Sequence, residues 1–452
     1  MITLNKTSGS VLIRVGLAIS TMLLFAESSM GQSANLQGEN AVSDSLDDEF
    51  FQTHQGNPLE TGNLIRTTIP DAGAIFDIGV GKTYFDWKDR LYDKTGLRFG
   101  LSYQTAFQSA STVLPGANKN AWGDWWGFML KWELINRDKR NKGGIVFSMF
   151  ERNPIGDYQL PSNFGPVDVG SITSLIEFTT WDFAIENLYW EQWLPVGERN
   201  LMIRVGNQIA SALIDPFRFK DSKKNFSTGV FCYHVTKPDP TFGFGVTFKL
   251  APAKGTGFYL SGAVTDMNGD PNSMGFDWST VSNHQFFYGA EVGYNWVRGK
   301  GDYDHLSLLA FYADDRSTRN ADVAPNEPGW GFSILGEKQI DNWVGFLKYT
   351  HNTSEGGGGL ATFSNNTGTA GVVYKNLLNV TGSMGLGLYF MDPIDNIFGD
   401  DTGLQTGMEA YWNMLLSRNI IVTPGIHLQW NPTLNPDANF VAMPHIKFRV
   451  QI

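Results

Sequence analysis

Cysteine is almost missing: Cys232 stands alone among 452 residues, so no internal disulfide framework holds this chain. Long apolar runs are missing too. Beyond the N-terminus no stretch reaches the ~18 consecutive apolar residues that a spanning helix needs, which excludes a helical membrane protein. Charge is sparse, at 17% of residues, and the formal net charge of −11 argues against nucleic acid as a partner. What the chain does have is 50 Gly, 32 Phe, 15 Tyr and 14 Trp, at a mean hydropathy of −0.20. Alternating strands with aromatics gathered at membrane interfaces give that combination.

The last strand states the pattern most clearly. From Phe440 to Ile452 every second residue (Phe440, Ala442, Pro444, Ile446, Phe448, Val450, Ile452) is apolar. Between them, toward the end, lie His445, Lys447, Arg449 and Gln451. One greasy face and one charged face fit a transmembrane β-barrel, with lipid outside and water inside.

The same two-faced pattern recurs upstream. Strong segments are Leu97–Gln108, Trp126–Leu134, Leu201–Gln208, Phe242–Leu250, Phe286–Asn295, Ser383–Met391, Gly407–Met414 and Ile420–Trp430. Weaker ones are Ile145–Arg152, Ala184–Leu194, Phe258–Thr265, Leu306–Tyr312, Trp330–Gln339, Trp343–Thr350 and Thr369–Tyr374. With the closing strand these make about sixteen, an even number as bacterial barrels require. Connections alternate between short (Ile340–Asn342, Ser417–Asn419) and long (Asn153–Asp182, Ile209–Thr241), as periplasmic turns and outer loops do. Pro424 and Pro444 fall inside paired strands and call for local bulges.

Ahead of the barrel, residues 1–31 read as a signal peptide, with Lys6 and Arg14, the apolar Val15–Phe25 and small residues before Gln32. Residues 32–80 read as a polar, acidic leader, largely disordered. Residues 81–96 read as one helix, with Thr83 placed to cap it, a Tyr84, Trp87 and Leu91 stripe, and Gly96 to stop it. The barrel is residues 97–452.

Motifs for catalysis or metals fail on inspection. Gly79-Val-Gly-Lys-Thr83 lacks the glycine a phosphate loop needs at Phe76 and any parallel-sheet context. The seven histidines show no ligand spacing, and no Gly-x-Ser-x-Gly occurs. Asp266, Asn268 and Asp270 read as turn chemistry, because Pro271 replaces the glycine of a calcium loop. No cofactor, metal or catalytic residue is expected.

From about Phe85 to Ile452 the chain resembles the carbohydrate-selective porins of the OprB type. The stretches that carry the resemblance are Arg90-Leu-Tyr-Asp-Lys-Thr-Gly-Leu-Arg-Phe, Leu201-Met-Ile-Arg-Val-Gly-Asn-Gln with Asp215-Pro-Phe, and Ile420-Ile-Val-Thr-Pro-Gly-Ile-His-Leu-Gln-Trp-Asn-Pro with Asn435-Pro-Asp. Ile452 departs from the terminal Phe usual there. The resemblance implies a sixteen-stranded barrel in the outer membrane of a Gram-negative bacterium, passing glucose-like monosaccharides through a pore narrowed by inward-folded loops. The partners it implies are small sugars as permeants, outer-membrane lipid and lipopolysaccharide, and the barrel assembly machinery. A homotrimer and a monomer both stay open, as does calcium in the outer loops.

Phase assigns the lumen. A sugar-selective constriction needs paired donors and acceptors beside flat aromatic platforms, with binding weak enough to let the solute leave. Inward positions are Lys131, Glu133, Arg204, Gln208, Glu291, Glu409, Tyr411, His427, Lys447 and Arg449. The long loops add Arg152, Asp157, Glu177, Trp181, Asp182, Asp215, Arg218 and Lys220. As constriction residues we single out Arg204, Arg152, Trp181, Glu177, Asp182, Arg218 and Glu186. The alternative for Arg204 is a wall-holding ion pair with Glu186 or Glu191. Trp126, Trp132, Trp190, Trp343, Trp412 and Trp430 face outward as an interface girdle. Rival functions are a general or anion-selective pore, a barrel lipase and a soluble lectin. Near-balanced lumenal charge favours a neutral solute.

Overall fold

The computed structural model describes residues 73–173, 181–232, 235–238, 240, 243–252, 255–269, 278–299, 302–315, 327–353, 363–395 and 402–452. The segments expected to be a signal peptide and, for the most part, a leader, together with Glu177 and Asp270, lie outside them. The strands are β1 (Leu97–Ser109), β2 (Asn120–Ile135), β3 (Gly143–Pro154), β4 (Trp181–Val196), β5 (Arg199–Gln208) and β6 (Gly243–Pro252). There follow β7 (Gly257–Asp266), β8 (Phe286–Gly299), β9 (Asp302–Ala313), β10 (Gly329–Ile340) and β11 (Trp343–Asn352). The set ends with β12 (Ser364–Lys375), β13 (Gly382–Pro393), β14 (Gln405–Ser417), β15 (Ile420–Trp430) and β16 (Phe440–Gln451). Each pairs antiparallel with its sequence neighbours, and β1 pairs with β16. The sheet closes, so no edge strand is left to satisfy.

Alternation decides which side of each strand meets lipid. On β16, Phe440 and Ile446 are exposed outside, while Lys447 and Arg449 inside are each 1% exposed. The outward tryptophans Trp126, Trp132, Trp330, Trp343 and Trp430 are 40–55% exposed, where amphipathic rings anchor a barrel at the membrane interface. The two strand prolines need no bulge. Pairing of β15 with β14 omits Thr423 and Pro424 and resumes in the same register at Val422, and pairing of β16 with β1 stops at His445, one residue short of Pro444. The missing N–H groups fall where no ladder bond is made.

The helix α1 (Lys82–Thr95) underlies the short-turn rim. Its N-cap is Gly81 with no side-chain cap, not Thr83 as the capping pattern predicts. The inward face also differs from the expected stripe: Phe85 and Lys88 are the buried members, while Trp87 packs edge-on to Phe99 at 5.9 Å. Gly96 does end the helix, in the left-handed region at φ 75°, and a Cβ there would come within 2.2 Å of the Glu133 carbonyl.

The segment before α1 is tied to the turn between β14 and β15. Phe76 bridges to Ser417, Val80 N–H donates to Asn419 Oδ1 (2.6 Å), and Arg418 Nε donates to the exposed Asp77 (2.6 Å). The hydrogen bond and charge of Arg418 hold the Asp77 carboxyl below its usual value. A depressed value makes the link complete at and above the ordinary carboxylate range, and lost only as pH falls below that range. Limited proteolysis at neutral pH is therefore expected to spare residues 73–80 in the wild type and cut them in Arg418→Ala. Equal cutting of both would show that the ion pair holds nothing.

Candidate functional site

The third long connection does not stay outside: its described part, residues 209–232 above all, lies in the lumen. Four of its phenylalanines, Phe217, Phe219, Phe226 and Phe231, pack with Leu335 (β10), Val344 and Phe346 (β11), Val373 (β12), Tyr389 and Met391 (β13) and Tyr411 (β14). The Phe226 and Phe231 rings stack at 4.4 Å, and Phe226 meets Tyr411 edge-on at 4.8 Å. Ile172 of the second long connection joins the same cluster. Here the wall turns apolar side chains inward as well as outward.

Polar clamps complete the docking. Glu409 (β14) accepts the N–H groups of Ser227 (2.5 Å) and Thr228 (3.0 Å) and the Thr228 hydroxyl (2.9 Å). Lys447 (β16) donates to the carbonyls of Ser222 and Asn225, at 2.5 and 2.6 Å. Asp215 pairs with Lys348 at 2.8 Å, its own N–H donates to Glu291 at 2.6 Å, and Asp221 pairs with Arg449 at 3.2 Å. A buried backbone donor lacking a partner would cost the fold, so these carboxylates fix the path of a segment that has no ladder of its own.

Across from the phenylalanine cluster the wall is built differently. Arg449 (β16), Gln104 (β1), Trp125 (β2), Arg152 (β3) and Trp181 (β4) lie opposite one another in consecutive registers. They form one row across five strands. Trp125 is fully buried and lies on Phe150, ring centroids 4.6 Å apart. Gly127, two residues on, makes this fit: a Cβ there would come within 2.4 Å of the indole. Several buried polar atoms on this side have no hydrogen-bond partner among the described residues. They are Gln104 Oε1, Trp125 Nε1, Ser222 Oγ, His427 Nδ1, both amide atoms of Gln429, His445 Nδ1 and Arg449 Nη2. They come from β15, β16, β1, β2 and the third connection that faces those strands. Buried polar groups find partners, so this side is where water or a hydroxylated solute belongs.

Comparison with known proteins agrees with this geometry. No protein-family model and no curated protein matches the chain. Among solved structures, the high-pH structure of Pseudomonas putida OprB superposes with a TM-score of 0.64 at 13% identity, over 84% of this chain and 99% of that one. The fold is that of a porin. The low-pH structure of the same OprB gives 0.46 at 10% identity, over 85% and 100% of the two chains. A triple mutant of Rhodopseudomonas blastica porin gives 0.43 at 11%, over 79% and 100%.

Within this porin barrel the residues singled out from sequence separate into three groups. Arg204 points inward and is 1% exposed, but Glu191 takes it: Nε and Nη2 lie 3.0 and 2.9 Å from Oε2. The other oxygen of Glu191 accepts from Lys131 and from Trp193 Nε1, both at 2.9 Å. The ion pair foreseen as the alternative role of Arg204 is present, and Glu191 is its partner. Arg152 belongs to β3 and not to a loop, and it faces Trp125 across the register. Glu186 is inward through a bulge: the β3–β4 register shifts between Ser148 and Met149, so Glu186 and Asn187 are both buried. Arg218 is on the far side, holding the third connection to Glu337 (3.3 Å), Gln339 (2.7 Å) and the Tyr303 carbonyl (2.7 Å). Trp181 and Asp182 open β4 and are not loop residues; Glu177 lies outside the described residues.

Sequence reasoning missed Trp125, Gln104 and the loop residues that face them. Outward Trp126 implies an inward Trp125 by alternation alone, so that signal was available.

Two constellations look catalytic and are not. Ser227 Oγ lies 3.2 Å and Glu409 3.8 Å from the same His445 nitrogen, Nε2. A nucleophile–base–acid relay needs the acid on the opposite ring nitrogen. Asp266 accepts the Asn268 N–H at 2.9 Å and the Thr280 hydroxyl at 2.6 Å, an Asx turn of the kind its sequence suggests.

Proposed function

We propose that this chain is an outer-membrane porin for facilitated diffusion of small neutral carbohydrates, with no catalysis and no energy coupling. The observation that carries the sugar preference is the row Arg449–Gln104–Trp125–Arg152. It puts a flat indole and unpartnered donors and acceptors on one lumenal wall. A pyranose offers an apolar C–H face and a rim of hydroxyls, and that wall offers complements to both.

Charge supports a neutral solute over an anion. Arg204 and Lys131 share Glu191, Lys142 lies by Glu133, Arg218 by Glu337, Lys348 and Lys237 by Asp215, and Arg449 by Asp221. Cations tied this way select poorly for free anions. The passage then runs along β2–β4, because the β10–β14 wall is covered by phenylalanine and β16 and β1 are bonded to the third connection through Lys447, Arg449 and Gln104. Arg152, Glu186 and the row define its narrow part, with Arg204 bracing the wall below. Arg218 anchors the loop.

Liposome swelling with purified protein tests this. Glucose is expected to enter faster than an amino acid of similar size and far faster than a trisaccharide. Trp125→Leu is expected to cut glucose entry by about threefold to tenfold, the range of one lost stacking contact, with amino-acid entry little changed. Equal rates for glucose and the amino acid in the wild type would reduce the protein to a general porin.

A further inference from the structure

Two residues of the third connection, Asp215 and Arg218, are held from opposite ends of one hydrogen-bonded relay. The relay crosses four neighbouring strands through buried side chains: Glu291 (β8), Tyr259 (β7), His305 (β9) and Glu337 (β10). Glu291 Oε2 accepts the Asp215 N–H at 2.6 Å, and Glu337 Oε1 accepts the Arg218 N–H at 3.3 Å. At the first anchor the backbone is left-handed, with Asp215 at φ 57°, where an L side chain rarely sits. Such a turn keeps its shape only while its surroundings hold it. Phe217, between the two anchors, is the first phenylalanine of the lumenal cluster.

Inside the relay the contacts are close. Tyr259 Oη lies 2.7 Å from Glu291 Oε1 and 2.8 Å from His305 Nε2, and His305 Nδ1 lies 3.3 Å from Glu337 Oε2. Three contacts need three bridging protons. An ionised carboxylate brings none, the phenol brings one and a neutral imidazole brings one. However these two are arranged, one contact sets acceptor against acceptor. If the phenol donates to Glu291, the imidazole must donate from Nε2, and Nδ1 faces Glu337 bare. If the phenol donates to His305, Tyr259 and Glu291 meet at 2.7 Å with no proton between them. Ser261 and Ser307, bonded to Glu291 and Tyr259, bring their own protons and leave the count unchanged. A buried contact with no proton in it is costly.

We propose that this relay binds one exchangeable proton beyond those of its phenol and neutral imidazole, and that the proton is a latch on the third connection. With it, all three contacts close and both anchors are fixed. When it leaves to lumenal water, the longest contact, His305 to Glu337, opens and the turn at Asp215 and Arg218 loosens. The proton belongs to the relay as a unit and not to one residue. Charged groups face the relay from each element packed on it. Lys249 (β6) stands 4.2 Å over the Tyr259 ring, and Arg218 lies on Glu337. Asp215, on Glu291, is paired with Lys348 (β11) and Lys237.

Single-channel recordings in planar bilayers, with potassium chloride as the only solute, read the latch without reference to any sugar. The full chain is recorded from about pH 4 to about pH 10, a span that covers a histidine or carboxylate displaced by burial. Open-channel noise is expected to rise in one step as pH rises, by about fivefold or more, as for a buried contact left unsatisfied. His305→Gln should give a flat profile, because its amide supplies a donor to Glu337 and does not titrate. Tyr259→Phe should be flat for a different reason. Nδ1–H then reaches Glu337 with the imidazole's own proton, and no third proton is needed. Heat-modifiable gel mobility confirms folded barrels, and either variant serves alone should the other fail to fold. The absence of a step in the wild type, or noise that rises as pH falls, would overturn the latch. So would a step that survives in a folded variant, which would put the titrating group elsewhere, as at Glu409 and His445.

Discussion

Truncating Phe226 and Phe231 together to alanine should release the third connection from the lumen and raise single-channel conductance in planar bilayers several-fold, with large open-channel noise. The argument is one of magnitudes. A buried phenylalanine cut to alanine costs about 3–5 kcal/mol, and these two rings stack on each other and on Tyr411, Phe346 and Tyr389. The polar clamp at Glu409 holds three donors, at about 1–3 kcal/mol for each one left unsatisfied. Donors freed in a wet lumen can bond to water, however, whereas the two rings cannot replace their packing. Glu409→Ala should therefore loosen the stretch around Ser227 and Thr228 and give a flickering channel of near-normal mean conductance. The barrel itself survives both changes, because its strands close on one another without help from the loop. Both variants should keep the heat-modifiable mobility of a folded barrel. A double phenylalanine variant with unchanged conductance would mean that the connection is held by its charged contacts instead.

The same phenylalanines explain which parts of the molecule could be read from sequence. Strands facing lipid on one side and water on the other announce themselves by period two, and all sixteen were placed that way. Those with weaker alternation include β10, β11 and β12. There Ile334 with Leu335, Trp343 with Val344, and Val372 with Val373 put apolar groups on both faces. The inward member of each pair lies under the third connection. Weak alternation was thus a record of protein covering the lumenal wall. The loop had its own signal: four phenylalanines in one long connection have no place on a water-exposed surface. Its path could not be read, because it is set by tertiary contacts to Glu409, Lys447 and Asp221 with no local periodicity. Glu186 and Glu191 were both offered as partners for Arg204, yet their positions have opposite parity on one strand. Both face inward only through the bulge at Glu186 and Asn187, which alternation by itself does not foresee. Arg152 closes the segment read as Ile145–Arg152 and was also counted with the long loop that follows, ahead of Pro154. The strand runs on to that proline, whose missing N–H matters little at a strand end.

Glu191→Ala should be the most disruptive single substitution in the lumen, and more so than removing the arginine it holds. Glu191 is 3% exposed and accepts from Arg204, Lys131 and Trp193. Its removal takes away the carboxylate that two buried cations share, at a cost of about 3–5 kcal/mol. Arg204→Ala leaves Glu191 still paired with Lys131 at 2.9 Å, so the loss should be nearer 1–2 kcal/mol, mostly of packing against Tyr189. The midpoint of heat-induced unfolding in detergent is expected to fall further for Glu191→Ala than for Arg204→Ala. The reverse order would show that the arginine is needed for more than its pair. Selectivity gives a second readout. In a potassium chloride gradient, Glu191→Ala should move the reversal potential toward chloride, because the lumenal wall loses one negative charge beside Lys131 and Arg204. Arg204→Ala should move it slightly or not at all, since it removes a cation whose charge the carboxylate already cancels. A strong shift toward potassium in Arg204→Ala would place that guanidinium on the ion path itself, and the constriction would then lie at the Arg204 level, below the Trp125 row.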